Sequence, residues 1–170
     1  MQRRITGSRL RHRIPFGRAA LGLTIAAAAV ALVPGTAAQA DPGAVYFGTS
    51  GGTNCVLHDD GSFACGFGHS YSPPMVTMKV AGANIPIPFG VNQVAYDRSF
   101  PATHPAFGSA SAYTLPGGNP DISAVATSQG TWGPVVEYGG TTCETGFHGS
   151  FSCTSQGHSF STWMSNLSMG

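Results

Sequence analysis

The sequence predicts an all-β fold: a small antiparallel sandwich or barrel with two disulfide-stapled hairpins and long loops. Three observations predict it. After residue 40 the chain is rich in Gly, Ser, Thr, Pro and aromatic residues and poor in Lys, Glu and Leu, which favours strands and turns over helices. Its four cysteines fall into two pairs, Cys55 with Cys65 and Cys143 with Cys153, each pair ten residues apart. Finally, residues 51–65, GGTNCVLHDDGSFAC, align without a gap on residues 139–153, GGTTCETGFHGSFSC, with eight of fifteen positions identical.

The first 40 residues stand apart from this pattern. Residues 2–18 hold six arginines and no acid, Ala19–Val33 is apolar throughout, and Ala38-Gln39-Ala40 offers small residues to a peptidase. The order basic, apolar, small is that of a secretory signal. Residues 1–40 are therefore expected to be removed after Ala40, and the apolar run is shorter than the roughly 20 residues of a bilayer-spanning helix. Arg3-Arg4 hints at twin-arginine export. Thr6-Gly7 follow where apolar residues are expected, which favours the general route.

Residues 41–170 fit one β domain. Without the signal, Lys79 and Arg98 face seven acids, a net charge of −5. Two basic side chains leave no electrostatic footprint for nucleic acid and no attraction to anionic lipid. The expected location is secreted or cell-wall-bound, with no membrane span in the mature form.

Ala44–Gly48 reads as the opening strand. In the first hairpin a three-residue loop, Asp59-Asp60-Gly61, places glycine in the left-handed position of a bulged turn. His58 then faces Ser62, Leu57 faces Phe63, Val56 faces Ala64 and Cys55 faces Cys65. Counted from the turn, the cysteines fall on a non-hydrogen-bonded pair, whose closer Cα spacing is within disulfide reach. Alternation puts Cys55, Leu57, Phe63 and Cys65 on the core face, and Val56, His58, Ser62 and Ala64 on the other.

Residues 75–82 follow as a strand. Residues 85–90, IPIPFG, are too proline-rich for a central strand, and 92–97 form a short one. From Arg98 to Gly130 a long surface excursion is expected to carry strands near 110–115 and 122–127. Residues 131–139 lead into the second hairpin, where Phe147-His148-Gly149 is the loop, Thr145 faces Phe151 and Cys143 faces Cys153. Glu144, Ser150 and Ser152 lie opposite its disulfide on a solvated face. Residues 157–163 form the last expected strand, the tail from Ser165 is expected to be loose, and no helix is expected after residue 40. Each staple should contribute roughly 3 kcal/mol, a large part of a net stability of about 5–15 kcal/mol. The letters shared by the two copies all serve the architecture, since glycine turns the chain, phenylalanine packs beside the sulfurs and cysteine closes the staple.

The chemical signals are weak. Gly48-Thr49-Ser50-Gly51-Gly52 resembles the Gly-Asp-Ser-Gly-Gly nucleophile loop of trypsin-like proteases. In that family the histidine and aspartate precede the serine, and here almost none of the mature chain does. His58, Asp59 and Asp60 at a hairpin tip can hold a cation, but turn aspartates ordinarily bond their own backbone, and the second copy has no carboxylate there. His69 and His158 sit in near-repeats, Gly-His-Ser, and can act as ligands or acid–base groups. The weak binding candidates are thus His58, Asp60, His69 and His158, with no catalytic residue, metal or cofactor assigned. Trp132, Trp163 and the tyrosines offer a carbohydrate or protein platform.

The early stretch Ser50-Gly51-Gly52-Thr53-Asn54-Cys55 and the late one Cys153…Gly157-His158-Ser159-Phe160 resemble a family of small exported actinobacterial two-disulfide proteins of unknown function. The family pattern has a proline in the first segment and glycine where Ser159 stands. The resemblance spans the hairpins only and implies an exported β protein, with no activity attached. The leading expectation is a non-enzymatic binding or structural module, engaging a protein or cell-wall glycan through residues 98–130 and the hairpin tips. A secreted inhibitor of a hydrolase is the alternative. A small hydrolytic enzyme using His69 or His158 is the second alternative.

Overall fold

The structure, a computed structural model, describes residues 41–170; the expected signal segment lies outside them. Both cysteine pairs close within their own hairpins. The first hairpin joins β2 (Asn54–His58) to β3 (Phe63–Tyr71), with Cys55 opposite Cys65 and Leu57 opposite Phe63. The second joins β10 (Thr141–Thr145) to β11 (Phe151–Ser155), with Cys143 opposite Cys153 and Thr145 opposite Phe151. The bonded cysteines have Cα atoms 4.1 Å and 4.0 Å apart, the close spacing of a non-hydrogen-bonded pair. Gly61 has φ +85° and Gly149 φ +75°, the left-handed backbone each turn requires.

Each hairpin is the centre of its own sheet. The first sheet runs β1 (Ala44–Gly48), β2, β3, β6 (Val91–Tyr96), β7 (His104–Pro105). In the second, β5 (Ala83–Pro86) and β4 (Val76–Val80) lead to β13 (Asn166–Met169) and β12 (His158–Trp163). It continues through β11, β10 and β9 (Pro134–Tyr138) to β8 (Ser128–Gln129). All pairings are antiparallel except that of β13 with β4. The proline-rich run 85–90 enters only β5 (Ala83–Pro86), with Pro86, and β5 takes the sheet edge, where a missing N–H costs no ladder bond.

The sheets pack face to face through matching cross-strand rows. Phe47, Cys55, Cys65 and Val94 line up across one, and Val136, Cys143, Cys153 and Phe160 across the other. All eight are buried in a single core cluster. The sulfurs of Cys55, Cys65 and Cys153 lie within 4.8 Å of one another, so the staples meet at its centre. The repeated phenylalanines cross over: Phe151 packs edge-on to Phe47 at 6.1 Å, and Phe63 packs on Phe160 at 5.8 Å. Burying each such ring contributes about 2–3 kcal/mol.

The outer face of the first hairpin is covered as well. The Asn119 side chain donates to the carbonyls of Phe47 (3.0 Å) and Tyr113 (2.8 Å), and a Cβ at Gly66 would overlap the Tyr113 ring. This cover buries Val56.

Three expectations are corrected. Residues 110–112 form a 3-10 turn capped by Ser109, and Ile122–Val125 forms a one-turn helix, α1, capped by Asp121; neither is a strand, and α1 is a helix where none was expected. Short polar side chains at Ser109 and Asp121 satisfy the first amides of each turn, which favours helical closure over an extended path. The tail from Ser165 is ordered, so 157–163 is not the last strand: Leu167 and Met169 are buried in β13 between β4 and β12. Asn166-Leu167-Ser168-Met169 alternates polar and apolar, the period of a half-buried strand.

Candidate functional site

The tip of each hairpin lies at the base of the other. At one end this joint is closed. The Gly61 carbonyl accepts hydrogen bonds from the Thr141 hydroxyl (3.0 Å) and the Ser155 hydroxyl (2.7 Å), and the Asp60 carbonyl accepts from Gln156 Nε2 (3.2 Å) and Arg98 (2.7 Å). Both hydroxyl bonds are buried, so each spares a carbonyl the cost of desolvation without a partner. A Cβ at Gly61 would lie 2.7 Å from Gln156 Nε2, and one at Gly139 would collide with the His58 carbonyl.

At the other end the joint is open. A cleft of about 490 Å³ separates the tip of the second hairpin (His148, Gly149, Ser150) from the base of the first (Ser50, Gly51, Thr53). A Cβ at Gly149, the counterpart of Gly61, would meet nothing within 4 Å, and one at Gly51, the counterpart of Gly139, would meet only Thr49 Oγ1 at 3.7 Å. Asp121, Ile122 and Ser123 of the α1 turn form one wall, so the long excursion reaches the site.

The lining is rich in hydroxyls and nearly uncharged. It includes Thr49, Ser50, Thr53, Tyr71, Ser123, Thr145, Ser150 and Thr162, with no lysine or arginine and one carboxylate, Asp121. That carboxylate accepts from the Ser123 hydroxyl (2.5 Å) and amide (2.9 Å), which hold its pKa below the ordinary value. Burial pushes the Tyr71 phenol up, partly opposed by the Thr162 hydroxyl, so it remains a neutral donor. His69 stands against Tyr71, ring centroids 4.6 Å apart.

An exposed aromatic pair adjoins the cleft-lining His148 without itself lining the cleft. Trp132 (59% exposed) packs edge-on against Phe147 (51%) at 4.9 Å, and Phe147 against His148 at 3.9 Å. Met164, 74% exposed, lines the cleft with φ +53°.

The four sequence candidates do not come together. His58 and Asp60 belong to the docked tip, where the Asp60 carboxylate caps Ser62 at 2.8 Å and 2.7 Å and is held low by those bonds. His158 stacks on Tyr96 at 4.9 Å and does not line the cleft; His69 does. Among the described residues, the one histidine within 4 Å of a carboxylate is His104, 3.5 Å from Asp97 and away from the cleft. The grouping of ligand atoms suited to a metal is three of the disulfide sulfurs, already bonded to one another or to Cys143. Sequence reasoning did not single out Thr53, Asp121 or His148 as site residues. The available signal was the unlike tips of the repeat, Asp-Asp-Gly against Phe-His-Gly.

No protein-family model, no characterised protein and no solved structure matches the chain.

Proposed function

We propose that this protein is an exported, non-enzymatic binding module, secreted or held at the cell wall, and that its ligand sits in the cleft between the second hairpin's tip and the first hairpin's base. One observation carries this: of two joints built from the same motif, one is closed by buried hydrogen bonds and the other stands open, with an exposed aromatic pair beside its tip. Concave sites lined by a few oriented polar groups and bordered by aromatics are where small β domains bind. Two disulfides suit an oxidising compartment, as does the basic–apolar–small order of residues 1–40. Among the described residues no hydrogen bond joins Ser50 to His69 or His148, and the histidine paired with a carboxylate is His104.

The test is capture from cell-wall and culture-fluid extracts with the oxidised protein and with Trp132→Ala/Met164→Ala. Material retained by the first and lost by the second supports the cleft; equal retention places the ligand elsewhere. The inhibitor alternative has its own support, because Phe147-His148-Gly149 is an exposed loop pinned at its neck by Cys143–Cys153. Pre-organisation of that kind lowers the ordering cost of a contact loop. A panel of secreted proteases and amylases assayed with and without the protein separates it from the leading proposal.

A further inference from the structure

We infer that the open cleft takes a glycine-bearing peptide turn of a partner protein, presenting its main-chain carbonyls as the Asp59-Asp60-Gly61 turn does in the closed joint. This rests on the cleft being the binding site, and it adds the chemistry of the occupant. The molecule already contains a filled version of this site. There, the base of the second hairpin grips a turn through its backbone: Thr141 and Ser155 donate to the Gly61 carbonyl, and Gln156 donates to that of Asp60. Glycine is favoured there by its left-handed backbone (φ +85°), and a Cβ at Gly61 would press on the Gly139 carbonyl at 3.0 Å and push Gln156 Nε2 aside.

The open base keeps part of that frame: Gly51-Gly52 lies in the longer loop between β1 and β2, Gly139-Gly140 in the tight turn between β9 and β10, and Gly51 lacks the left-handed backbone of Gly139. Gly51, Gly52 and Thr53 stand where Gly139, Gly140 and Thr141 stand in the filled one. Gly52 and Gly140 share left-handed backbone, φ +80° and +86°. At the next two equivalent positions Phe67 and Gly68 replace Ser155 and Gln156, and the donors move outward to the Tyr71 phenol and the His69 ring, both in the lining. The space above Gly51 is free, whereas the space above Gly139 is filled by the His58 carbonyl of the docked tip. With no cationic side chain in the lining and Asp121 engaged by Ser123, the site suits uncharged amide groups. The protein's own second tip does not fill the cleft: it closes on itself through Gly146 N to the Ser150 carbonyl (2.7 Å), as the docked tip does through His58 N to the Ser62 carbonyl (2.9 Å), but carries Phe147-His148 in place of Asp59-Asp60. The Trp132–Phe147 pair and Met164 then flank the position of the partner's neighbouring side chains.

A matched probe exists in the chain itself: the disulfide-closed peptide of residues 55–65, CVLHDDGSFAC. It is titrated into the isotope-labelled, oxidised protein and followed by amide NMR shifts, beside the same peptide carrying Gly61→Ala and a soluble N-acetylglucosamine oligomer. The expected result is saturable shifts at Thr53, His69 and Ser150, absent with the alanine peptide, and weakened about fivefold by Thr53→Val in the protein, the effect of one hydrogen bond. The peptide change cannot disturb the protein's folding, so it stands even if Thr53→Val is poorly folded. Shifts confined to Thr141 and Ser155 mean exchange with the closed joint and overturn the inference. Saturation at the cleft by the sugar oligomer and not the peptide overturns the turn as occupant while leaving the cleft as the binding site. Failure of both probes overturns the turn as occupant; the cleft itself then falls only if Trp132→Ala/Met164→Ala also retains extract material as the unaltered protein does.

Discussion

The first and second hairpins share a turn glycine, a staple, a register and a place in the core rows, yet they end differently. The tip Asp59-Asp60-Gly61 is sewn to its neighbour by three side-chain bonds to two carbonyls, with Arg98 adding a fourth from beyond β6. The tip Phe147-His148-Gly149 stands clear of the equivalent surface and edges a cleft. The contrast lies in what each tip asks of its surroundings. A tip whose carbonyls point at hydroxyls can be buried, because the desolvated oxygens find donors. Both tips close on themselves across the turn, so the difference lies in their letters: Asp59-Asp60 in the docked tip, Phe147-His148 in the open one. One scaffold thereby yields an internal joint and an external site.

The comparison can be broken most forcefully at the staples. Replacing Cys55 and Cys65 by alanine, or Cys143 and Cys153, should cost roughly 3 kcal/mol in urea unfolding in either case, since both close loops of sequence separation 10. Capture of ligand by the folded fraction should be lost only in the second, where the tip has no joint to hold it. Equal loss of binding would make the tips equivalent after all. Next in size is Gly139→Ala, which meets backbone at a left-handed position (φ +59°) and should destabilise by about 2–3 kcal/mol. Gly51→Ala, at the open base, should stay within about 0.5 kcal/mol. A smaller contrast is Thr141→Val, which strips a buried carbonyl of a donor and should cost about 1–2 kcal/mol, against no more than about 0.5 kcal/mol for Thr53→Val beside the cleft.

The least effect is that of acid. Serine hydroxyls and amides hold Asp60, Asp97 and Asp121 below their ordinary pKa. A carboxylate with a lowered folded pKa stabilises the fold above its unfolded value and loses that contribution as pH falls through the lowered one. The melting temperature should therefore be flat from neutrality to about pH 5 and decline below about pH 4. The decline should be shallow, because all three groups are solvent-exposed. Asp60→Asn, at the docked tip, should flatten it; a profile unchanged by Asp60→Asn and by Asp121→Asn would remove these caps from the acid response.

The hairpins were readable because little else fits their letters. A glycine that must be left-handed, two cysteines ten apart and a period of two leave one register, and with it the core face of Leu57, Phe63 and Phe151. What governs the rest acts across the chain. Nothing near Gly61 announces that Thr141 and Ser155, 80 and 94 residues later, will bind its carbonyl. Leu167 and Met169 pair with Val76 and Met78, parallel and far upstream, and the turn to their near partner β12 is Met164-Ser165, which lacks the glycine, asparagine or aspartate that announces a two-residue hairpin. Asp121 reads as a loop residue until its side chain is seen capping Ser123. The site followed the same rule. His69 was legible as a candidate, but its companions Thr53, Asp121 and His148 arrive from three separate segments that only the packing of two sheets brings together.

Strand β13 has one more consequence. It is the seam between β5-β4 on one side and β12 through β8 on the other. In a chain delivered from its amino end, whether by a ribosome or across a membrane, both halves emerge and wait for residues 166–169 before they can be stitched together. This four-residue ribbon is the zip-pull of the larger sheet, whose other described strands all come before it.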